Sequence, residues 1–332
     1  MTAAVLTLAC GGGSAKEGES DVLIGVLPTP TARESSPTPA AAGEAPTPEP
    51  TLPPRSPIVV SLAWLDAGTA APELPATFAA RAEDTGLKAA IEAALAGREG
   101  SYSVVVHNLA NGRYAAINEG QVYYAASLFK LELLLEAYRQ REAGELDFAQ
   151  LLTLEKKYVE YDLKTLEALG IIEGDMVSVH DAVRAMTIVS DTPTAVLMQD
   201  TLNAARVDQT LASLGINDTE NANRELPTTA RDMARLLTAI ASGEAGVTEA
   251  SRAEMLSLMQ QEWFDDGVPA GVPDGTAVSH KTGSYADATH DVALVWGPAG
   301  PYIIAVLTDR SYDWGAIREV SRAVSDYFAI NP

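Results

Sequence analysis

Cysteine occurs once in the 332 residues, as Cys10. One thiol makes no internal disulfide and no thiolate metal cage. Histidine is scarce as well. His107, His180, His280 and His290 are scattered, and no His-x-x-x-His or similar ligand spacing occurs. Neither a resident metal nor any other cofactor is expected. Basic residues are few: 23 Lys+Arg stand against 45 Asp+Glu, a formal net charge of −22. Such a surface repels nucleic acid and anionic membranes, which excludes both as electrostatic partners. Beyond the N-terminus no apolar run is long enough to span a bilayer. Apolar residues are plentiful, at 47% of the chain, and suffice for a sizeable core.

Ala3 to Cys10 is short and apolar, and Gly11-Gly12-Gly13-Ser14 follows. This pattern is like the end of a bacterial lipoprotein signal, in which the cysteine is acylated, although no basic residue precedes the run. An ordinary N-terminus with an incidental cysteine is the competing reading. Pro28 to Pro57 holds 10 of the chain's 19 prolines, a composition that buries no core and favours an extended spacer. The expected organisation is a signal-like and lipobox-like segment over 1–27, a disordered Pro/Thr/Ala-rich linker over 28–83, and one globular domain over 84–332. Lipidation at Cys10 would make the protein an exported lipoprotein, cell-surface or periplasmic, touching the membrane only through that anchor. A monomer is expected.

Within the domain, Asp84-Thr85 is positioned to cap a helix through Leu87, Ile91 and Leu95. Tyr102 to Leu109 reads as a strand, Asn111-Gly112 as a tight turn, and Arg113 to Ile117 as the returning strand. Helical periodicity dominates the middle: Leu128–Ala143, Val179–Val189, Ala195–Leu202, Thr229–Ile240 and Ala250–Met259. Strand formers return at Ala277–Lys281, Val292–Trp296 and Tyr302–Thr308, before an amphipathic helix over Trp314–Phe328. This order predicts an α+β protein. A mainly antiparallel sheet of about five strands, flanked by the terminal helices, is built from both chain ends (84–126 and 270–332). An all-α lobe (about 127–269) is inserted between them. A cleft between the lobes is the natural place for a site.

Three short motifs carry chemistry. Ser127-Leu128-Phe129-Lys130 places a hydroxyl and an amine one helical turn apart. A serine hydroxyl is a poor nucleophile until something takes its proton, and a desolvated lysine near another cation can do so. Alone, Ser-x-x-Lys describes a helix cap and a surface lysine equally well. It is followed by Ser190-Asp191-Thr192 at a helix junction, and by Lys281-Thr282-Gly283-Ser284 at a strand end. Ser-x-x-Lys, Ser-Asp-(Asn) and Lys-Thr-Gly, in that order, form a signature far more specific than any member.

On these motifs the chain resembles the class A β-lactamases and penicillin-binding proteins. The resemblance extends to Met186–Ala195, to Thr228–Ala234 and to Ala277–Trp296, and covers roughly Asp84 to Phe328. It implies the β-lactamase/transpeptidase-like fold and a β-lactam or acyl-peptide substrate. It also implies a covalent acyl-Ser127 intermediate. Lys130 would take or hold the proton, and Ser190 would relay one to the leaving nitrogen. The backbone N–H groups of Ser127 and Ser284 would form the oxyanion hole. Lys281, Thr282 and Gly283 would frame the substrate carboxylate.

Three departures qualify that pattern. Thr192 stands where the family has asparagine, so a contact to Lys130 or to the substrate amide is expected to be lost. Leu214 to Thr228 is too short for the family's omega loop and lacks its Glu-x-Glu-Leu-Asn pattern. Glu225 in the remnant Asn223-Arg224-Glu225-Leu226 is the candidate deacylating base, against the reading of a solvated loop glutamate. His290 falls where many members carry a carboxylate-binding arginine, and serves only when protonated. His107, His180 and His280 read as structural. Two alternatives stay open: a D-alanyl-D-alanine peptidase or esterase with slow deacylation, and a non-catalytic penicillin-binding-type module.

Overall fold

The computed structural model describes residues 56–332 apart from 67, 163–164 and 167–169, so Cys10, the signal-like segment and most of the expected linker lie outside the described residues. Strands are numbered β1 (Val59–Val60), β2 (Ala82–Glu83), β3 (Tyr102–Asn108), β4 (Arg113–Ile117), β5 (Val122–Tyr124), β6 (Leu151–Thr153), β7 (Met176–Ser178), β8 (Pro227–Thr229), β9 (Val278–Tyr285), β10 (Ala288–Gly297) and β11 (Gly300–Thr308). The longer helices are α1 (Thr85–Leu95), α2 (Phe129–Glu142), α3 (Val179–Ile188), α4 (Thr192–Leu202), α5 (Ala204–Ser213), α6 (Ala230–Ser242), α7 (Glu249–Met259) and α8 (Trp314–Ile330).

One sheet runs β2-β4-β3-β11-β10-β9. Five of its strands are joined antiparallel, and the two-residue β2 adds a parallel edge to β4. The expected sheet is therefore present with one extra edge strand. Period-two alternation sends side chains to two separate cores. Val104, Val106, Ile304 and Val306 face the terminal helices, where they meet Leu87, Ile91, Ile317, Val320, Val324 and Phe328. Val105, Ile303, Ala305 and Leu307 face the helical block, against Leu131, Met233, Leu237 and others. Both faces are buried, which is why β3 and β11 read as nearly unbroken apolar runs.

The caps explain why the helices start where they do. Asp84 accepts the Leu87 N–H at 3.0 Å and opens α1. Thr229 and Asp313 do the same for α6 and α8. Gly112, in the β3–β4 turn, has φ 78°, and a Cβ there would lie 2.1 Å from the Ala80 carbonyl oxygen. Helix α5 and the short pairs β5–β8 and β6–β7 were not foreseen, because two- and three-residue ladders carry no readable period.

The expected linker needs correction at its end. Among the described residues, Val60, Leu62, Leu65, Ala71, Leu74 and Phe78 of this stretch pack on the core of the domain. β1 pairs in parallel with β7, Ile58 N–H donates to Asp175 Oδ1 at 2.9 Å, and Leu62 N–H donates to Asp181 Oδ2 at 3.3 Å. Leu62 and Leu65 are buried in the core of the helical block, and the Leu65 carbonyl accepts from Arg184. The dense run of prolines ends at Pro57, and only Pro72 and Pro75 follow before residue 83. Beyond that run the segment carries enough apolar surface to offset its ordering entropy. Truncating Leu62, only 1% exposed, should therefore destabilise the whole domain. Leu62→Ala is expected to cost about 3 kcal/mol in urea unfolding. A spacer residue would change nothing.

Candidate active site

Ser127 lies in a single 3₁₀ turn, Ala126–Leu128, that runs directly into α2. Ala126 is held at φ 46°, a left-handed conformation costly for a residue with a Cβ. That kink leaves Ser127 partly exposed while Leu128, Phe129 and Lys130 are buried. Lys130, in the first turn of α2, points back along the same face. Its Nζ donates to Ser127 Oγ at 3.0 Å, to the Ser190 carbonyl at 2.6 Å and to Ser190 Oγ at 3.2 Å. Thr192 Oγ1 lies 3.4 Å away.

The second arm is the α3–α4 junction. Ser190 sits at φ 55°, and Asp191 caps α4 by accepting the Thr194 N–H at 2.8 Å and its hydroxyl at 2.6 Å. This turn presents both the carbonyl and the hydroxyl of Ser190 to Lys130. Thr192 keeps a contact with Lys130, which corrects the expectation that losing asparagine would lose it; threonine reaches because it occupies the first position of α4. Burial lowers the Lys130 pKa to about 7, with help from the Lys281 charge, while Asp191 and Glu262 oppose the drop. Burial raises the Asp191 carboxyl, whose Oδ1 has no hydrogen-bond partner. Near neutral pH Lys130 thus has an unprotonated fraction able to accept the Ser127 proton.

The third arm is β9, at the edge of the sheet. On an edge strand every second N–H faces outward. The Thr282 N–H does so and donates to Glu262 Oε2 at 2.9 Å. Two residues on, Ser284 N–H projects from the same edge. It is the natural partner of the Ser127 N–H, one of the unsatisfied donors at the start of a helical turn. Gly283 makes the approach possible: a Cβ there would stand 2.8 Å from the Ala125 carbonyl oxygen and 3.1 Å from Leu128 Cγ.

Lys281, Thr282 and His280 share a partner that sequence reasoning missed. Glu262 is 3% exposed and accepts from Lys281 Nζ and from Thr282 Oγ1, the latter at 2.7 Å. His280 Nδ1 lies 3.1 Å from Asp291 Oδ1 and 3.7 Å from Glu262 Oε2. Burial by itself would lower the His280 pKa, but Asp291, Asp265 and Glu262 outweigh it and hold it up to about 10. His280 is thus a buried cation in an ion cluster. No motif marked Glu262; a glutamate in Gln260-Gln261-Glu262-Trp263 looks like any helix-end acid.

One expectation fails on geometry, and a second is left without a direct bond. His290 is fully buried, with Nε2 2.8 Å from the Tyr124 carbonyl and Nδ1 accepting the Thr308 N–H at 3.2 Å. Burial lowers its pKa to about 4. Both ring nitrogens are spent on backbone groups, so it offers a substrate carboxylate neither charge nor donor. Glu225 is exposed on the loop before β8, and among the described residues its carboxylate bonds to neither Ser127 nor Lys130. Its neighbour Leu226 is the one that reaches the nucleophile's turn. Leu226 is held at φ 41°, and its carbonyl accepts the Ala125 N–H at 2.8 Å. Asn221 anchors this short loop from below by donating to the buried Glu132 at 2.8 Å. His107 contacts the Ala79 carbonyl at 3.2 Å, and the partly exposed His180 lies 3.5 Å from Asp181; both stand apart from the site. Among the described residues no cluster of His, Cys, Asp and Glu could hold a metal ion, and no helix is long and apolar enough to cross a membrane.

Three segments converging in this way on one hydroxyl, within this sheet-and-helix frame, define the penicillin-recognising serine enzymes as a class. The family model of the beta-lactamase enzyme family matches residues 86–328, most of the chain, and the chain belongs to that family. A β-lactamase of Bacillus licheniformis is 31% identical over 124 residues, 35% of this chain and 40% of that protein, so the chain spans about two-fifths of that relative's length. Among solved structures, PBP-A has a TM-score of 0.71 at 24% identity, covering 76% of this chain and 100% of PBP-A. A PBP-A mutant in an acyl-enzyme complex with penicillin G has the same score and identity, covering 76% and 99%. A β-lactamase from Sphaerobacter thermophilus has a TM-score of 0.66 at 24% identity, covering 75% and 98%. These likenesses establish the shared fold.

The Lys130 environment sets a pH dependence. Lys130 acts as a base only when neutral, so Ser127 acylation should rise with pH through about 7 and then level off. Lys130→Ala is expected to slow acylation by about 100-fold or more and abolish that inflection, as stopped-flow acylation across the pH range would show.

Proposed function

We propose that this chain is a class A-like serine hydrolase that opens β-lactams, or an equivalent acyl donor, through acyl-Ser127. The observation that carries the reading is the hydrogen-bonded triad of Ser127, Lys130 and Ser190, with Lys130 buried and its pKa lowered to about 7. Ser127 Oγ attacks the carbonyl carbon as its proton passes to Lys130. The tetrahedral oxyanion forms between the N–H groups of Ser127 and Ser284. The C–N bond then breaks, and Ser190 hands the proton held by Lys130 to the leaving nitrogen. Thr192 helps to hold Lys130, while Lys281, Thr282 and Gly283 shape the opposite wall.

Deacylation is the slow step. Among the described residues no carboxylate is hydrogen-bonded to Ser127 or Lys130, and the exposed Glu225 has no hydrogen bond that holds its carboxylate in place, so a base for the hydrolytic water is not preorganised. This favours a penicillin-binding or peptidase-like enzyme over a rapid β-lactamase. The apolar run ending at Cys10 and the proline-rich stretch after it support export with a lipid anchor and spacer.

Incubating the full chain with saturating fluorescent penicillin should yield a lasting adduct, absent in Ser127→Ala. A chromogenic cephalosporin should turn over only slowly. Rapid turnover would overturn the slow-deacylation reading. Complete absence of an adduct would favour the non-catalytic module.

A further inference from the structure

Recognition of a carboxylate beside the scissile bond needs a cation or hydroxyl donor that is free to serve it. Lys281 and Thr282 are the residues placed for that task, and both already hold a carboxylate belonging to the protein itself. Glu262 Oε1 accepts from Lys281 Nζ and Thr282 Oγ1, and Glu262 Oε2 takes the outward Thr282 N–H. All three side chains are buried, so the pair is sealed from the screening that weakens surface ion pairs.

Four other cationic or imidazole side chains among the described residues are committed elsewhere. His290 is neutral and saturated by backbone groups. His280 is spent on Asp291 and Asp265. Arg310, just past β11, packs the stem of its side chain against Gly100. Arg231 is paired with Asp218 at 2.6 Å. Asp265 and Asp287 add negative charge beside this strand, both exposed. The same rim carries aromatic surface. Tyr124, three residues before Ser127, packs its ring 5.7 Å from that of Tyr285, directly after Ser284. Trp263 and Phe264, directly after Glu262, are 59% and 47% exposed.

We propose that Glu262 is a specificity-determining positioning residue: by occupying Lys281 and Thr282 it makes this site prefer acyl donors that lack a carboxylate beside the scissile bond, uncharged esters or amides with apolar or aromatic substituents. This rests on Ser127 being the acylated nucleophile. An incoming carboxylate would have to displace a buried, preorganised one and approach a wall of net negative charge. A neutral donor meets no such penalty and gains contact with the aromatic rim.

The test compares benzylpenicillin with its methyl ester on the full chain, following acylation of Ser127 by stopped flow and intact mass. The ester is expected to acylate at least as fast as the acid. Glu262→Gln keeps one acceptor oxygen for Lys281 Nζ and Thr282 Oγ1, gives up the acceptor of the Thr282 N–H and removes the charge, and should raise the acid-to-ester rate ratio by about ten-fold. A merely structural role for Glu262 would slow both substrates alike and leave the ratio unchanged, which overturns the proposal. The acid outpacing the ester in the wild-type chain overturns it without any variant. An adduct with neither compound overturns the acylation by Ser127 on which it stands.

Discussion

A buried ammonium group organises this protein. Lys130 is only 1% exposed, and stripping a cation of water is costly unless hydrogen-bond acceptors replace it. The protein supplies them from three places: the 3₁₀ turn carrying Ser127, the left-handed turn carrying Ser190, and the first position of α4 carrying Thr192. Two of these turns are conformationally strained, at Ala126 and Ser190. Backbone strain of this kind persists only where surrounding packing over-determines it. Here that packing comes from α2, α3 and α4, whose apolar faces meet in the helical core. The desolvation that makes Lys130 difficult to bury also lowers its pKa toward neutrality. Structural cost and catalytic competence therefore have a common origin.

The sheet contributes by ending. Because β9 has no neighbour on its outer side, its outward N–H groups remain for other uses. One is taken by Glu262, and the next, at Ser284, faces the nucleophile's side. Gly283 lets this edge close on the Ser127 turn to a distance that no side chain would tolerate. Opposite, the loop before β8 is tied down by Leu226 and by the Asn221–Glu132 bond, while its Glu225 is exposed.

Much of this was legible in the chain. The strand-forming apolar runs of β3, β10 and β11, the Asn111-Gly112 turn and the capped start of α1 are local patterns, and the structure follows them. Two of the three motifs named the residues that meet around Lys130, and the third named the strand that closes on the Ser127 turn, because these patterns depend on residue type and short spacing. What escaped were relationships across long separations. His290 occupies a familiar strand position, yet both of its nitrogens are spent on backbone groups of β5 and β11. Thr192 looked too short to reach Lys130, but the helix start carries it close. Leu62 and Leu65 seemed part of a spacer, since nothing near them in sequence shows the helical face they cover.

The sequence by itself determined the α+β order of elements, the family, and the spacing that puts Ser127 and Lys130 on one helical face, because periodicity and i,i+3 spacing are local properties. Only the tertiary structure decided the state of charge around them. Whether Lys130 is desolvated, whether His280 is held as a cation, and whether Lys281 is free or bound to Glu262 depend on which groups are brought within a few ångströms and cut off from water. Coulombic and desolvation energies are set by distance and burial, and neither is written along the chain.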